Sequence, residues 1–462
     1  LLIRELRGVE SMSSPFRYEL DLLSQSQSVD LEGVLYAPAQ VGIKVLIGPD
    51  RSTTMWVSGR LESFELSKTE ANISVYRAVL VPVLQNLQES HRSQIFLSET
   101  APDIAAKLLD EGGLVKEQDF LFSESLKDAL ADGEPSDRVR YPEREYVVQY
   151  DETDLAFMHR WLEHEGLFYW FDSQGPWEEL LKIGDNNGSF EPLAVVNRFP
   201  YRPGASGAVG SHAYEMSVKA LKCSIQRLPK DVILQDYNWR NPSNMMVTQP
   251  VREESGGVQY EYNDHYKSLD QGKELARIRS EELACRSKVF HGQSDARNMR
   301  PGFTMILEKH PRSDMNGELV ITEVVHTATQ EISFDRQAVT SVHYQNDFVA
   351  LPVEQPYRPA CVTPWPAIEG MINARIDGES DGTYAEMDNY GRYKVRVPFD
   401  LAGDGKVDGR ASRWVRMMQP YAGSRSGMTF PLRKGTEGRL THIEGDPDRP
   451  LSRGALHGGL NP

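Results

Sequence analysis

The chain has 462 residues, of which 39% are hydrophobic and 26% are charged, and its formal net charge at pH 7 is −16. This composition excludes a fibrous or disordered protein, and the length predicts about three folded domains. The longest apolar runs, such as residues 78–84, are too short for a membrane-spanning helix, which needs ~20 residues. The acidic balance disfavours a nucleic-acid binder that relies on overall positive charge.

Three cysteines, Cys223, Cys285 and Cys361, lie far apart in the sequence and form no C-x-x-C pattern. This spacing predicts neither a disulfide framework nor a zinc or iron–sulfur site, and it fits synthesis in a reducing cytosol. The first residues reach Arg4 without the apolar stretch of a secretory signal peptide. We therefore expect no signal peptide.

The N-terminal part of the chain has the pattern of a β-domain. Alternation of apolar and polar residues predicts strands at 17–22, 41–47 and 74–81. Because Gly, Pro, Asn and Asp separate these short runs, we expect a barrel or a sandwich. A helix follows, which Thr100 caps and Gly112 ends.

The middle of the chain combines both kinds of element. Residues 123–142 are polar and charged, and they predict a loop. A strand–helix–strand unit then spans 146–171, with Thr153 as the helix N-cap and Gly166 at the end of the helix. Beyond a Gly/Pro/Ser-rich joint at 201–211, the sequence predicts a helix at 269–286 and strands at 230–237, 301–308, 321–329 and 338–344.

The C-terminal part differs in charge from the rest. Prolines between Pro352 and Pro366 predict an extended linker. The block 388–462 carries 13 Lys and Arg against 8 Asp and Glu, a net of +5, whereas the preceding residues carry −21. Its alternating segments predict a small barrel with strands at 393–399, 414–418 and 439–443.

Motifs for a catalytic or metal centre are missing from the sequence. There is no H-E-x-x-H, P-loop or G-x-G-x-x-G pattern, and Arg425 stands where a G-x-S-x-G nucleophile would lie. His159 and His164 are five residues apart, which places them on different faces of a helix and favours structural roles over a metal site. We predict no catalytic residue, no metal and no cofactor.

Two alternatives remain open. The acid pairs Glu163/Glu165 and Asp446/Asp448 allow a glycosidase-like reaction, although such pairs arise by chance among 67 acids. The basic barrel has the charge and aromatic content of a platform for single-stranded nucleic acid. Its alternation, however, predicts that Tyr393 belongs to the core, and a basic barrel can equally dock on an acidic partner.

Short motifs recur in a fixed order along the chain. In the final block they are Pro398-Phe399-Asp400, Trp414-Val415-Arg416, Gln419-Pro420, Ala422-Gly423, Gly435-Thr436-Glu437 and Gly445-Asp446-Pro447-Asp448-Arg449-Pro450. Upstream they are Arg144-Glu145-Tyr146-Val147-Val148-Gln149-Tyr150, Leu162-Glu163-His164-Glu165-Gly166-Leu167, Asp236-Tyr237-Asn238-Trp239 and Pro301-Gly302-Phe303. Together they resemble the valine–glycine repeat (VgrG) family, the spike proteins of bacterial type VI secretion, which are similar to contractile phage tail hubs.

The resemblance implies structural roles for a set of motif residues, namely Trp414, Gln419, Pro420, Gly445, Asp446, Pro447, Asp448, Arg449, Pro450, Glu165 and Gly166. It also implies a mainly β fold with α/β insertions, in which tail-hub β-barrels precede a C-terminal oligonucleotide/oligosaccharide-binding (OB) barrel. We expect a first hub barrel at 1–95, an α/β insertion at 96–200, a second hub barrel at 212–350, a proline-rich linker at 351–375 and the OB domain at 376–462. The family's β-helical needle is expected to be absent. Departures from the family pattern occur at Gly438, Thr441-His442-Ile443 and His457-Gly458-Gly459-Leu460.

The resemblance further implies a homotrimer that sits on a hexameric, Hcp-like tube and supports a membrane-puncturing needle for effector delivery. The implied partners are a PAAR-repeat tip protein and effector or adaptor proteins, with no nucleic acid, and the needle contacts the target membrane. Such a protein is made in the bacterial cytoplasm and secreted without a signal peptide through the type VI apparatus. We predict a structural spike rather than an enzyme. The alternatives are a phage-like tail hub with cell-wall hydrolase activity and an OB fold that binds single-stranded nucleic acid.

Overall fold

The chain forms two compact units whose segments alternate along the sequence. Unit 1 comprises Leu1–Gln85, Gly112–Ala131 and Glu163–Ala360, and unit 2 comprises Asn86–Glu111, Asp132–Leu162 and Cys361–Pro462. The computed structural model describes all residues except 27, 36, 49–50, 71–72, 135–137, 174, 205–214, 241, 243–244, 252–255, 334–337, 380–381, 402–407, 424–425 and 459–462.

Most of the regular structure is β. The strands are β1 (Leu2–Ser11), β2 (Ser14–Ser24), β3 (Pro38–Leu46), β4 (Ser52–Glu70), β5 (Ile73–Val81), β6 (His91–Phe96), β7 (Phe120–Phe122), β8 (Val147–Thr153), β9 (Phe168–Asp172), β10 (Leu180–Gly184), β11 (Glu191–Pro192), β12 (Arg198–Pro200), β13 (Val218–Ile225), β14 (Asp231–Asp236), β15 (Met245–Pro250), β16 (Val258–Tyr262), β17 (Lys288–Ser294), β18 (Phe303–Glu308), β19 (Gly317–Ser333), β20 (Ala338–Pro352), β21 (Met371–Asp377), β22 (Lys394–Arg396), β23 (Arg416–Met417), β24 (Glu437–His442) and β25 (Pro450–Ala455).

Shorter helical elements connect these strands. The α-helices are α1 (Leu31–Leu35), α2 (Asn86–Glu89), α3 (Ala101–Glu111), α4 (Glu124–Ala131), α5 (Asp154–Glu165) and α6 (Leu269–Ala284). Single 3₁₀ turns occur at Val83–Gln85, Asn187–Ser189, Ser313–Met315 and Ile443–Gly445. Within the described ranges, no helix combines the length and the apolar character needed to cross a membrane.

Unit 1 is built around a 12-stranded sheet with the central order β13-β17-β20-β19-β1-β2-β5-β4-β3. Strand β18 joins β19 and also pairs with β11 and β12. Alternation along β2 turns one set of side chains inward, so that Leu20 lies opposite Leu6 of β1 and Ala78 of β5, and all three are buried. The apolar pattern of the sequence therefore fixes the register of these central strands.

A smaller sheet of unit 1 packs against helix α6. The sheet has the order β15-β14-β16, and Val232 and Leu234 of β14 are buried against Leu275 and Ile278 of the helix. Helix α6 begins where the Ser268 side chain accepts the backbone N–H of Gln271 at 3.3 Å. One face of this sheet is thus covered, and its other face carries the exposed residues described below.

Unit 2 joins two early strands to the C-terminal strands. Strands β6 and β8 pair antiparallel, and a five-stranded sheet has the order β22-β21-β24-β25-β23. Ile95 of β6 and Val148 of β8 share one buried cluster with Ile376, Tyr393 and Leu440 of the C-terminal segment. Residues separated by about 300 positions in the chain therefore form a single core.

The structure confirms the mainly β architecture with α/β elements. Thr153 acts as the predicted N-cap, since its hydroxyl accepts the N–H of Ala156 at 3.2 Å. The loop predicted at 123–142 is wrong over helix α4, where the Ser123 side chain caps the first turn and Leu126 is buried. Within the joint predicted at 201–211, residues 205–211 lie outside the described residues.

Candidate functional site

The motif at the end of the chain forms a tight turn between β24 and β25. The backbone N–H of Arg449 donates to the carbonyl of Asp446 at 3.0 Å, and the Asp446 side chain accepts the N–H of Asp448 at 2.9 Å. Gly445 precedes the turn with φ +80, a conformation that favours glycine. Pro447 and Pro450 are buried, and Arg449 lies 3.2 Å from the Asp446 carboxylate. These residues make a closed, rigid corner.

Asp448 extends from this turn to strand β8. Its carboxylate accepts the backbone N–H of Val148 at 2.5 Å, and its backbone carbonyl accepts the Arg413 side chain at 3.1 Å. Burial and the neighbouring Asp446 carboxylate raise the pKa of Asp448, while Arg160, Arg144 and the Val148 N–H oppose that shift. We call this contact between Asp448 and Val148, together with the contact between Asp400 and Ile95, the β8 junction.

The second half of the β8 junction comes from a different motif. The Asp400 carboxylate accepts the backbone N–H of Ile95 on β6 at 3.3 Å, and the next N–H, of Leu401, donates to the Ser93 carbonyl at 3.2 Å. The ring of Phe399 meets that of Tyr150 edge-on at 5.3 Å. Three motifs that are distant in sequence therefore meet at the two strands β6 and β8.

Buried cations reinforce the same region of unit 2. Arg160 is 1% exposed, pairs with Glu152 at 2.8 Å and donates to the carbonyl of Val148 at 2.9 Å. Its guanidinium also lies over the ring of Trp365 at 4.5 Å, and Trp365 meets Trp161 at 4.9 Å. A buried guanidinium that loses its partners costs free energy, so Arg160 holds its neighbours in fixed positions.

The other predicted motif residues of unit 2 lie beside this centre or outside it. Trp414 is half-buried under the Lys394 ammonium, which lies 5.3 Å from its ring. Gln419 is half-buried and Pro420 is exposed, and both belong to the segment after β23.

Glu165 and Gly166 belong to unit 1, where they end helix α5. Gly166 has φ +70, and a Cβ there would lie 2.6 Å from the Ile278 side chain, so only glycine fits. Its carbonyl accepts the Arg358 side chain at 2.9 Å. Glu165 is buried with its carboxylate 3.6 Å from His164. The motif thus marks a helix end that packs tightly on α6.

Sequence reasoning missed a second polar centre, inside the unit 1 sheet. Glu10 is 4% exposed, accepts a hydrogen bond from the Tyr18 hydroxyl, and lies 3.8 Å from Arg300 and 3.6 Å from His326. His326 is in turn 2.6 Å from the Tyr344 hydroxyl. Burial alone would raise the pKa of Glu10, but Arg300, His326 and Tyr18 favour the carboxylate and lower it to about 2.

Two surfaces of the described residues expose unusually apolar side chains. On unit 1, the uncovered face of the β15-β14-β16 sheet presents Met246, Val258, Tyr260 and Tyr262, each about half exposed. On unit 2, the segment after β23 presents Met418, Tyr421, Met428 and Phe430. Apolar patches of this kind mark interaction surfaces in many proteins.

The members of both candidate acid pairs are buried. The Asp446 carboxylate accepts the N–H of Asp448 within the turn, and the Asp448 carboxylate accepts the N–H of Val148 on β8. Glu163 and Glu165 are buried near the end of α5. Tyr393, predicted to belong to the core, is fully buried.

Comparison with known proteins finds a matching family model for the N-terminal part of the chain and another for the C-terminal part. Residues 9–332 match the family model described as phage tail baseplate hub (GPD). Residues 384–457 match the type VI secretion system/phage-baseplate injector OB domain. The chain belongs to the VgrG family. The predicted order of tail hub and C-terminal OB domain is therefore confirmed.

Curated relatives of the VgrG family match this chain over nearly its full length. A type VI secretion system spike protein, VgrG5 of Pseudomonas aeruginosa, is 30% identical over 98% of this chain and 55% of its own length. The actin cross-linking toxin VgrG1 of Vibrio cholerae is 27% identical over 100% of this chain and 41% of its own length. The chain thus spans about half the length of the curated relatives it matches.

A solved structure supports the fold. The E. coli c3393 protein, described as a component of the type VI secretion system with similarity to bacteriophage T4 tail proteins gp27 and gp5, has 23% identity and a TM-score of 0.66. The alignment covers 98% of this chain and 97% of that one. The two chains therefore share a fold.

Proposed function

We propose that this chain is the hub and OB-barrel part of a type VI secretion spike, a structural component rather than an enzyme. The observation that carries the proposal is the VgrG family membership across both the hub and the OB segments. The described residues support a mechanical role, because the motif residues of unit 2 pack around a buried core.

The proposed assembly is a homotrimer that sits on a hexameric, Hcp-like tube and carries a membrane-puncturing needle. The apolar faces on unit 1 and unit 2 support this assembly, since a long-lived interface buries large apolar areas. The segment containing Met418, Tyr421, Met428 and Phe430 has the exposed side chains expected of such an interface. A PAAR-repeat tip protein and effector or adaptor proteins complete the proposed set of partners, and nucleic acid is not among them.

The proposed route of secretion follows from the role as a spike component. The chain is made in the bacterial cytoplasm and leaves through the type VI apparatus. It delivers effectors into a target cell by sheath-driven thrust and breaks no covalent bond itself. The relative that is named as an actin cross-linking toxin matches this chain over only 41% of its own length, so its name describes a longer protein.

Light scattering on the purified chain tests the trimer. We expect a mass three times that of the 52.2 kDa monomer at tens of micromolar. The double variant Tyr421→Ser and Phe430→Ser should shift the protein towards monomer, because it removes two exposed aromatic anchors.

The matched control is Val362→Ser, which changes an exposed apolar residue of the proline-rich stretch and should leave the mass unchanged. A wild-type chain that stays monomeric up to about 100 μM would contradict the proposed trimer, because a stable assembly has a dissociation constant below that concentration. Failure of the trimer to bind a purified tube hexamer would contradict the proposed seat on the tube.

A further inference from the structure

Unit 1 contains a small cavity away from the motif residues described above. Its volume is about 170 Å³, and it lies where β3 and β4 meet the loops before β7 and β10. Its lining includes Ser58, Val83, Asp119, Trp177 and Glu179. The cavity is smaller than a site for a drug-sized molecule, so only a small group fits.

The first notable lining group is the carboxyl of Glu179. Its two oxygens accept the backbone N–H of Val83 at 3.0 and 3.2 Å. Desolvation raises the pKa of Glu179 to about 8, Asp119 adds to the shift, and the Val83 N–H and Arg60 oppose it. These are the charged and titratable groups that face Glu179. The carboxyl is therefore largely uncharged at pH 7.

The second notable group is the hydroxyl of Ser58. The residue is 4% exposed, and no hydrogen-bond partner for its Oγ exists among the described residues. A buried hydroxyl without a partner costs free energy in the folded state. A ligand that hydrogen-bonds to this oxygen would remove the cost.

The third notable group is Trp177 at the rim. Its side chain is 61% exposed, and its backbone has φ +66, which is unfavourable for a bulky residue. Its backbone N–H donates to the Gln40 side chain at 3.1 Å, which holds the turn in place. A large aromatic ring is thus kept at the edge of the cavity at a cost in backbone strain, a pattern associated with binding sites.

We propose that this cavity binds the ammonium end of a short alkylamine or of a lysine side chain. An ammonium group has three donors and no acceptor, and the Ser58 hydroxyl and the carboxyls of Glu179 and Asp119 offer three acceptors. The Trp177 ring supplies a π-face for the cation and apolar surface for its aliphatic stem. This inference does not depend on the trimer or on the tube.

Titration calorimetry on the whole chain tests the inference with two probes, n-butylamine and N-acetyl-lysine-N-methylamide. The bound cation favours the Glu179 carboxylate, so binding should release a proton and be ~10-fold tighter at pH 9 than at pH 7. Tight binding of the capped lysine assigns the site to the side chain of a partner protein. Binding of butylamine alone assigns it to a free amine, and either result supports the proposal.

Variants separate a binding role from a structural one. Glu179→Gln should weaken binding and abolish its pH dependence, whereas the control Glu178→Gln, at an exposed neighbour, should change neither. Trp177→Ala should weaken binding roughly fivefold. Ser58→Ala should weaken binding without lowering the thermal stability of the chain, because it removes an unsatisfied hydroxyl.

Three results would overturn the proposal. They are the lack of saturable binding by either amine at millimolar concentration, identical behaviour of Glu178→Gln and Glu179→Gln, and displacement of the amines by calcium ions at equal concentration. The last result would make the cavity a metal site instead.

Discussion

In unit 1 the buried carboxylate of Glu10 faces Arg300 and His326, whereas in unit 2 the buried carboxylate of Asp448 accepts a backbone N–H. The first pKa is lowered to about 2 and the second is raised. Burial is similar in both places, so the difference comes from the partners. For Glu10, the nearby cations lower the pKa by more than desolvation raises it. For Asp448, desolvation and the Asp446 carboxylate raise the pKa by more than the nearby arginines lower it.

The largest effect expected from this comparison is on unit 1. Glu10→Ala leaves Arg300 buried without its carboxylate and should lower the unfolding free energy of unit 1 by about 3–5 kcal/mol. Urea denaturation followed by hydrogen exchange at the β1 and β19 amides measures the loss. The control Glu19→Ala removes an exposed acid of β2 and should cost less than about 0.5 kcal/mol. Equal costs for the two variants would show that the buried network does not hold the sheet.

A smaller effect is expected at the β8 junction. Asp448→Ala removes the acceptor of the Val148 N–H and should cost about 1–3 kcal/mol in unit 2. Asp448→Asn keeps an oxygen at that position, so it should cost less than the alanine variant. Faster hydrogen exchange of the Val148 amide in the alanine variant, with the asparagine variant close to wild type, is the expected pattern. If both variants exchange alike, the hydrogen bond is not what stabilises the junction.

The smallest effect is the opposite pH response of the two carboxylates. The pKa of Glu10 is depressed, so its contribution is complete above pH ~4.5 and is lost as the pH falls towards 2. The pKa of Asp448 is raised, so its contribution is complete below pH ~3.8 and is lost as the pH rises through its folded value. Each slope is at most about 1.4 kcal/mol per pH unit.

Amide exchange of β1 and of β8 measured between pH 3 and pH 8 checks this contrast, after correction for the intrinsic rate of exchange. Asp448→Asn should flatten the response of β8 and leave that of β1 unchanged. A β8 response that survives this substitution would assign the pH dependence to other groups.

Much of the fold could be predicted from local patterns. Alternation located β2, β5 and β14, and a hydroxyl residue followed by an apolar stripe located α5 at Thr153. Helix α4 was missed because it is short and lies in a charged stretch, so that Leu126, Ala129 and Leu130 recur at helical spacing over little more than one turn. A helical repeat of apolar residues over so short a segment is a weak signal.

The candidate site was predicted only in part. The sequence indicated that residues 445–450 form a tight turn, and these residues form one in the structure. The partner of Asp448 lies 300 positions away at Val148, and no local pattern encodes a contact at that separation. The Glu10 centre was missed for the same reason, because Arg300 and His326 come from strands and loops far along the chain. The family motifs therefore located the surroundings of the site but not its contacts.

The alternation of the two units along the chain has a consequence for synthesis on the ribosome. Ile95 and Val148 emerge long before Ile376 and Leu440, with which they share a core. At ~5–20 residues per second, the delay is on the order of tens of seconds. During that interval the apolar faces of β6 and β8 have no final partner, so the core of unit 2 can close only after the C-terminal segment has been made.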